Sequence, residues 1–74
     1  MIIIKAHLYI KDTENIYYTP TTFYIPESKL IVTYDDPAGG SVLEIDGEVH
    51  YLSETAAEID RRIYESRLGV NFTN

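Results

Sequence analysis

The sequence predicts an α+β fold in which an antiparallel β-meander of four to five strands is packed by one C-terminal helix. Apolar and polar residues alternate from Ile2 to Ile10, and an Asp46-Gly47 pair separates two strand-like segments, so a sheet is indicated. After Ser53 the spacing of apolar residues changes to that of a helix. Because 74 residues suffice for one small core, a single domain over residues 1–74 is expected.

The first hairpin is predicted from alternation and from turn residues. A strand over Ile2 to Ile10 is followed by a polar cluster at 11–15, and strand-forming residues resume at Ile16. Pro20 and Pro26 bracket the next stretch. Proline cannot donate a hydrogen bond to a neighbouring strand, so an edge strand or an irregular loop fits this stretch better than a central strand.

A second hairpin is predicted after a third strand over Leu30 to Tyr34 and a glycine-rich turn. It spans residues 41–52, with the Asp-Gly pair at its tip. A two-residue loop would leave both faces mixed. We therefore expect a three-residue loop with a left-handed Gly47 and a bulge, because this register places Leu43 opposite Val49.

The C-terminal helix is predicted from one apolar stripe and from its end signals. Ala56, Ile59 and Ile63 recur at helical spacing and are expected to face the sheet. Ser53 is the expected N-cap, and Gly69 is expected to end the helix in the left-handed conformation. Beyond this glycine the chain is expected to be a frayed tail.

Charge narrows the classes of partner. Twelve Asp and Glu residues against six Lys and Arg residues give a net charge of -6. Direct binding of nucleic acid is disfavoured, because it depends on Lys and Arg residues that contact phosphates. The same charge would steer the chain towards a basic protein, such as one that itself binds nucleic acid. Solubility alone also accounts for a net charge of this size.

No residue set predicts catalysis, a cofactor or a metal. The serines have the sequence context of turns and caps, and neither His7 nor His50 is expected to have a catalytic partner. The alternating acids and histidine of the second hairpin favour a solvated strand face over a metal site. These are Glu44, Asp46, Glu48 and His50. We therefore expect a protein that is not an enzyme.

Cysteine usage and hydropathy suggest where the chain acts. There is no cysteine, which excludes disulfides and fits a reducing compartment. The longest apolar run, Met1 to Ile4, is too short for a membrane span or a signal peptide. A cytoplasmic protein that does not contact membranes is expected.

Tyrosine is unusually frequent and marks candidate partner-binding residues. The chain has seven Tyr, and Tyr is a preferred anchor at protein interfaces, although part of the enrichment reflects strand propensity and packing. The predicted partner-binding residues combine two tyrosines with the acids expected on the outer helix face. They are Tyr17, Tyr18, Glu54, Glu58 and Glu65. A core this small also predicts a homodimer, formed at an exposed strand edge.

The C-terminal half resembles the small FlbD-type bacterial proteins. The resemblance rests on a strand and turn at Leu43–Gly47, a strand end and helix start at Tyr51–Glu54, and the pair Glu58-Ile59. It implies a regulatory or assembly subunit that acts through homo-oligomerisation. In size, acidity and lack of catalytic residues the chain is equally similar to small phage-encoded inhibitors, including anti-CRISPR proteins. That likeness implies an inhibitor of a basic or nucleic-acid-handling host protein.

Overall fold

The computed structural model describes residues 1–69 and confirms the predicted α+β fold, a five-stranded antiparallel sheet with one C-terminal helix. The elements are β1 (Ile2–Lys11), β2 (Ile16–Ile25), β3 (Ile31–Asp35), β4 (Ser41–Ile45), β5 (Glu48–Leu52) and α1 (Ala56–Arg67). The predicted tail at 70–74 lies outside the described residues.

The strand order β2-β1-β5-β4-β3 divides the sheet into two parts. One part is the long hairpin of β1 and β2, paired from Ile2 opposite Ile25 to Lys11 opposite Ile16. The other is the meander of β3, β4 and β5. A single pair, Leu8 opposite Leu52, joins β1 to β5.

Side chains of helix α1 and of the residues before it form hydrogen bonds with the backbone groups of β1 that do not pair with β5. The Ser66 hydroxyl oxygen accepts a hydrogen bond from the Ile3 N–H at 2.8 Å. The Arg62 guanidinium donates to the Lys5 carbonyl oxygen at 2.7 Å. Because strand backbone groups need partners, these side chains replace a neighbouring strand along the first half of β1.

The core lies between the two parts of the sheet and the helix. The predicted stripe of Ala56, Ile59 and Ile63 is buried, as expected. Gly69 has a φ of 69° directly after the helix, so its predicted role at the helix end is also confirmed. The main buried cluster consists of Ile2, Ile4, Ala6, Ile25, Leu43, Leu52, Ile59 and Ile63.

Strand β2 resolves the alternatives that were open for the proline-bracketed stretch, because it is one continuous edge strand. Pro20 lies in its middle, opposite His7. The His7 N–H donates to Glu54, away from β2, so Pro20 also faces away from β1. Its missing N–H therefore removes no hydrogen bond between these two strands.

The second hairpin has a two-residue loop, so the predicted three-residue loop is wrong. Leu43 lies opposite His50 rather than Val49. Asp46 and Gly47 have φ values of 49° and 83°. Two successive positive φ angles are typical of a type I′ turn, whose twist matches that of the paired strands. The turn preference of Asp-Gly therefore decides the register, even though this register pairs apolar residues with polar ones, such as Leu43 with His50.

The helix begins two residues later than predicted, because Thr55 is the N-cap and Ser53 is not. The Thr55 hydroxyl oxygen accepts a hydrogen bond from the Glu58 N–H at 3.2 Å. The Ser53 N–H instead donates to the His7 carbonyl oxygen at 3.0 Å. Ser53 thus continues the contact with β1, and the helix begins after Thr55.

Candidate protein-binding surface

The sheet face opposite the helix is not covered by any element of residues 1–69. Leu8 and Leu52 face the core as a cross-strand pair, so their neighbours Tyr9 and Tyr51 point to the other side. Cross-strand pairing extends this surface over all five strands. It is termed the open face, and its centre consists of Tyr9, Tyr18, Val32, Tyr34, Val42, Glu44, Val49 and Tyr51. The alternation of β1 places Lys5, His7 and Lys11 on the same side.

The centre of the open face is an aromatic row across three strands. Tyr34, Val42 and Tyr51 are paired in register, and Val42 is only 3% exposed between the two half-exposed tyrosines. The Tyr34 hydroxyl donates to a Glu44 carboxylate oxygen at 2.7 Å. This hydrogen bond raises the pKa of Tyr34, because it stabilises the protonated phenol.

A pocket of about 290 Å³ opens at the junction of the two sheet parts. Tyr9 and Tyr18 form one wall, with ring centroids 5.5 Å apart and an angle of 63° between the ring planes. Tyr51 and Leu52 line it from β5, and the loop between β3 and β4 closes it with Asp36 and residues 38–39. Three tyrosines therefore line the pocket, and Asp36 is the one charged residue in its lining.

The loop that carries Asp36 is held in place by its own backbone. The Asp36 N–H donates to the Gly40 carbonyl oxygen at 3.1 Å, and the Gly39 N–H donates to the Asp36 carbonyl oxygen at 2.9 Å. One Asp36 carboxylate oxygen accepts from the Ala38 N–H at 3.0 Å. A Cβ atom at Gly40 would collide with the Leu52 carbonyl oxygen, so only glycine allows this approach. The loop is thus fixed against β5.

The two predicted tyrosines are not brought together. Tyr17 and Tyr18 are similarly exposed, at 47% and 49%, but neighbouring residues in a strand point to opposite faces. Tyr18 pairs with Tyr9 on the open face, whereas Tyr17 pairs with Ile10 on the other side. Of the predicted pair, only Tyr18 belongs to the open face.

The predicted helix glutamates lie apart from this surface. Glu58 and Glu65 are on α1, which packs against the opposite side of the sheet. Arg61 lies 3.9 Å from a carboxylate oxygen of each, and Arg62 lies 3.7 Å from Glu58. Their charges are therefore partly offset by neighbouring arginines.

Glu54 is buried, so the prediction that it lies on the outer helix face is wrong. It precedes the helix, and its side chain is 6% exposed. One carboxylate oxygen accepts from the His7 N–H at 2.9 Å, and the other lies 2.9 Å from both the His7 Nδ1 atom and an Arg62 guanidinium nitrogen. Glu54 thus accepts a hydrogen bond from a β1 backbone N–H that has no strand partner, and it is not available to a partner protein.

The surroundings of Glu54 set its protonation. Burial alone would raise its pKa, but the hydrogen bonds from the His7 backbone, the His7 ring and Arg62 outweigh burial and lower the pKa to about 2. His7 thus has an acidic partner that the sequence did not predict. The spacing rules for helices and strands do not connect residues 7, 54 and 62, so no local pattern signalled this cluster.

In residues 1–69 no three His, Asp or Glu side chains are placed to hold a metal ion. Over the same residues, no helix is long and apolar enough to cross a membrane. Comparison of the chain with known protein families, curated proteins and solved structures finds no match.

Proposed function

We propose that the chain is a non-enzymatic protein-binding module that docks on a basic protein through its open face. The observation that carries this proposal is the gathering of Tyr9, Tyr18, Tyr34 and Tyr51 on one uncovered sheet face. The module would inhibit or modulate its partner in the cytoplasm, as a small phage-encoded inhibitor does. A cysteine-free chain suits that compartment.

The aromatic row supports binding rather than simple exposure. Contiguous apolar patches on small soluble proteins mark interaction sites more often than scattered single residues do. Tyr34 and Tyr51 flank Val42, which is buried although it lies on this face, and a tyrosine side chain has few rotatable bonds to immobilise when a partner packs on it. Rigid tyrosines of this kind are typical interface anchors.

The charges favour a basic partner. Glu44 lies on the open face and Asp36 borders its pocket, and neither carboxylate forms an ion pair within residues 1–69. The net charge of the whole chain is -6, which would increase its rate of association with a positively charged protein. Glu58 and Glu65, by contrast, already face arginines of their own helix.

The experiment compares matched tyrosine variants. Basic proteins are captured from a bacterial lysate with the wild-type chain, identified by mass spectrometry, purified and measured for binding kinetics. Tyr51→Ala and Tyr18→Ala should dissociate faster, by up to about 30-fold for an anchor worth 2 kcal/mol. Tyr17→Ala is the control, since it removes an equally exposed ring from the opposite side of β2. It should change dissociation by less than about twofold.

A charge comparison locates the surface independently. The pair Asp36→Asn with Glu44→Gln should slow association at low salt and flatten its salt dependence. The pair Glu58→Gln with Glu65→Gln removes the same formal charge from the helix and should have the smaller effect. If the helix pair or Tyr17→Ala weakens binding more than the open-face variants, the open face is not the docking surface.

A second candidate function is a structural, assembly or FlbD-type regulatory subunit that forms a homodimer. The outer edge of β3, which has no neighbouring strand within residues 1–69, favours it. Backbone hydrogen bonds join Leu30 to Asp46 and Asp36 to Gly40, so the residues at alternating positions, including Thr33, turn their backbone groups away from β4. Such an unpaired edge can accept a strand from a second copy.

Sedimentation at micromolar concentration tests this second candidate. A homodimer should sediment at twice the monomer mass, and its melting temperature should rise with concentration. Thr33→Pro should abolish the dimer, because it removes an outward N–H, whereas Thr33→Ala should retain it. A monomer over the whole concentration range would reject the homodimer.

A further inference from the structure

The pocket on the open face has the composition of a site for a cation. Its lining includes the rings of Tyr9, Tyr18 and Tyr51 and the carboxylate-bearing Asp36, and no Lys, Arg or His lines it within residues 1–69. The faces of aromatic rings carry partial negative charge, which attracts a cation within about 6 Å of the ring centroid. The pocket therefore combines the attraction of aromatic rings with that of a formal negative charge.

The geometry leaves these groups available. The 63° angle between the Tyr9 and Tyr18 rings gives the wall two differently inclined surfaces. Asp36 uses one carboxylate oxygen for the Ala38 N–H, and its other oxygen accepts no hydrogen bond within residues 1–69. The loop is held by its own hydrogen bonds and by the close approach of Gly40 to β5, so the carboxylate is positioned before any ligand arrives.

The size of the pocket limits the ligand. A volume of about 290 Å³ lies at the lower end of the range for small-molecule sites, which is about 300–1,000 Å³. A single side chain suits this volume better than a nucleotide or another large cofactor does. The surrounding open face would then contact the protein that carries the side chain.

From these observations we infer that the pocket bounded by Tyr9, Tyr18, Tyr51 and Asp36 binds one positively charged side chain, an arginine or a lysine, of the partner. The identity of the carrier rests on the proposed function, but the cation site itself does not. The cation contacts the tyrosine rings and donates hydrogen bonds to the free oxygen of Asp36. This contact would select a basic partner by chemistry and not only by long-range charge.

The test uses small probes and does not need the partner. N-acetyl-arginine amide and N-acetyl-lysine amide are titrated into the protein labelled with ¹⁵N, and N-acetyl-citrulline amide serves as a neutral analogue of arginine. We expect saturable shifts of the backbone signals of Gly39 and Tyr51 with at least one cationic probe, with a millimolar Kd. The two cationic probes also distinguish guanidinium from ammonium. Citrulline should bind at least about tenfold more weakly than arginine.

Variants assign the site to the named groups. Asp36→Asn and Tyr51→Leu should each weaken binding of the better cationic probe by about tenfold or more. Tyr17→Leu is the control, because its ring lies on the opposite side of β2, and it should leave binding unchanged. Spectra of each variant without probe report whether it is folded. Should Asp36→Asn disturb the loop, Tyr51→Leu carries the test alone.

Two results would overturn the inference. One is equal binding of citrulline and arginine, which would show an apolar pocket only, and the other is non-saturating shifts with both cationic probes. The proposed function fails separately. If a basic protein binds through the open face while neither cationic probe binds the pocket, the cation site is wrong and the docking surface stands. If a cationic probe binds but Tyr18→Ala and Tyr51→Ala leave partner binding intact, the docking surface is wrong and the cation site stands.

Discussion

Replacing the buried Glu54 by glutamine should destabilise the fold far more than replacing an exposed glutamate of the helix. Glu54→Gln keeps the size of the side chain and removes the charge that His7 and Arg62 contact at 2.9 Å. The Arg62 guanidinium and the His7 backbone N–H then face a neutral amide. Half of that amide is a donor and cannot accept a hydrogen bond from either partner.

The magnitude follows from the protonation of Glu54. Its pKa falls from an ordinary 4.5 to about 2 in the folded protein, and this difference corresponds to about 3 kcal/mol of stability at neutral pH. A total stability of about 5 kcal/mol is typical for small domains, so Glu54→Gln should lose much of it.

The same linkage predicts how stability depends on pH. Because the folded pKa is lower than the unfolded one, the contribution of Glu54 is fully present above about pH 5. It is lost progressively as the pH falls from 4.5 towards 2, when the unfolded chain binds the proton first. In Glu54→Gln this part of the acid dependence should be absent.

Urea unfolding of wild type, Glu54→Gln and Glu58→Gln at pH 7 and pH 3 measures both effects. Glu58→Gln is the matched control, because it removes the same charge from a carboxylate that is 42% exposed and forms only surface pairs. It should cost less than about 1 kcal/mol. Equal unfolding free energies for the two variants at pH 7, or a Glu54→Gln variant with the acid dependence of wild type, would refute the reasoning.

Three further predictions test the packing. Ile59→Asp should unfold the protein, because Ile59 is fully buried and an unpaired buried charge costs several kcal/mol; a cooperative unfolding transition in this variant would contradict the layer architecture. Gly40→Ala should be more destabilising than Gly39→Ala, since only the former places a Cβ against the Leu52 carbonyl oxygen, and chemical denaturation would rank the two. Ser66→Ala should lower stability by about 1 kcal/mol and speed hydrogen exchange of the β1 N–H that it leaves without an acceptor.

Local patterns were sufficient to predict the fold class. Alternation predicted β1, and helical spacing predicted the buried stripe that includes Ile59 and Ile63. Both patterns act between residues close in sequence, so one chain is enough to recognise them. Apolar matching predicts the wrong hairpin loop, because the strong turn preference of Asp46-Gly47 decides the register.

The candidate site depended on pairings that lie far apart in sequence. Alternation implied that Tyr17 and Tyr18 face opposite sides, but it could not say which side the helix would cover. That choice depends on the packing of α1 against β1, where Ile59 and Ile63 join the apolar residues of β1 in one buried cluster. The burial of Glu54 likewise depends on where β5 ends relative to β1, because His7 needs an acceptor at that point.

Carboxylates that pair with arginine and carboxylates that do not should have different roles in this molecule, the former in stability and the latter in recognition. Arg62 forms ion pairs with Glu54 and Glu58. Removing the charge of Glu54 should therefore change the free energy of unfolding. Asp36 and Glu44 have no cationic partner within residues 1–69, and they lie at the pocket and on the open face. Removing these charges should therefore leave the core intact and change the rate at which a basic partner associates. A stable Asp36→Asn, Glu44→Gln variant that associates slowly would place the uncompensated acidity of the chain at its recognition surface.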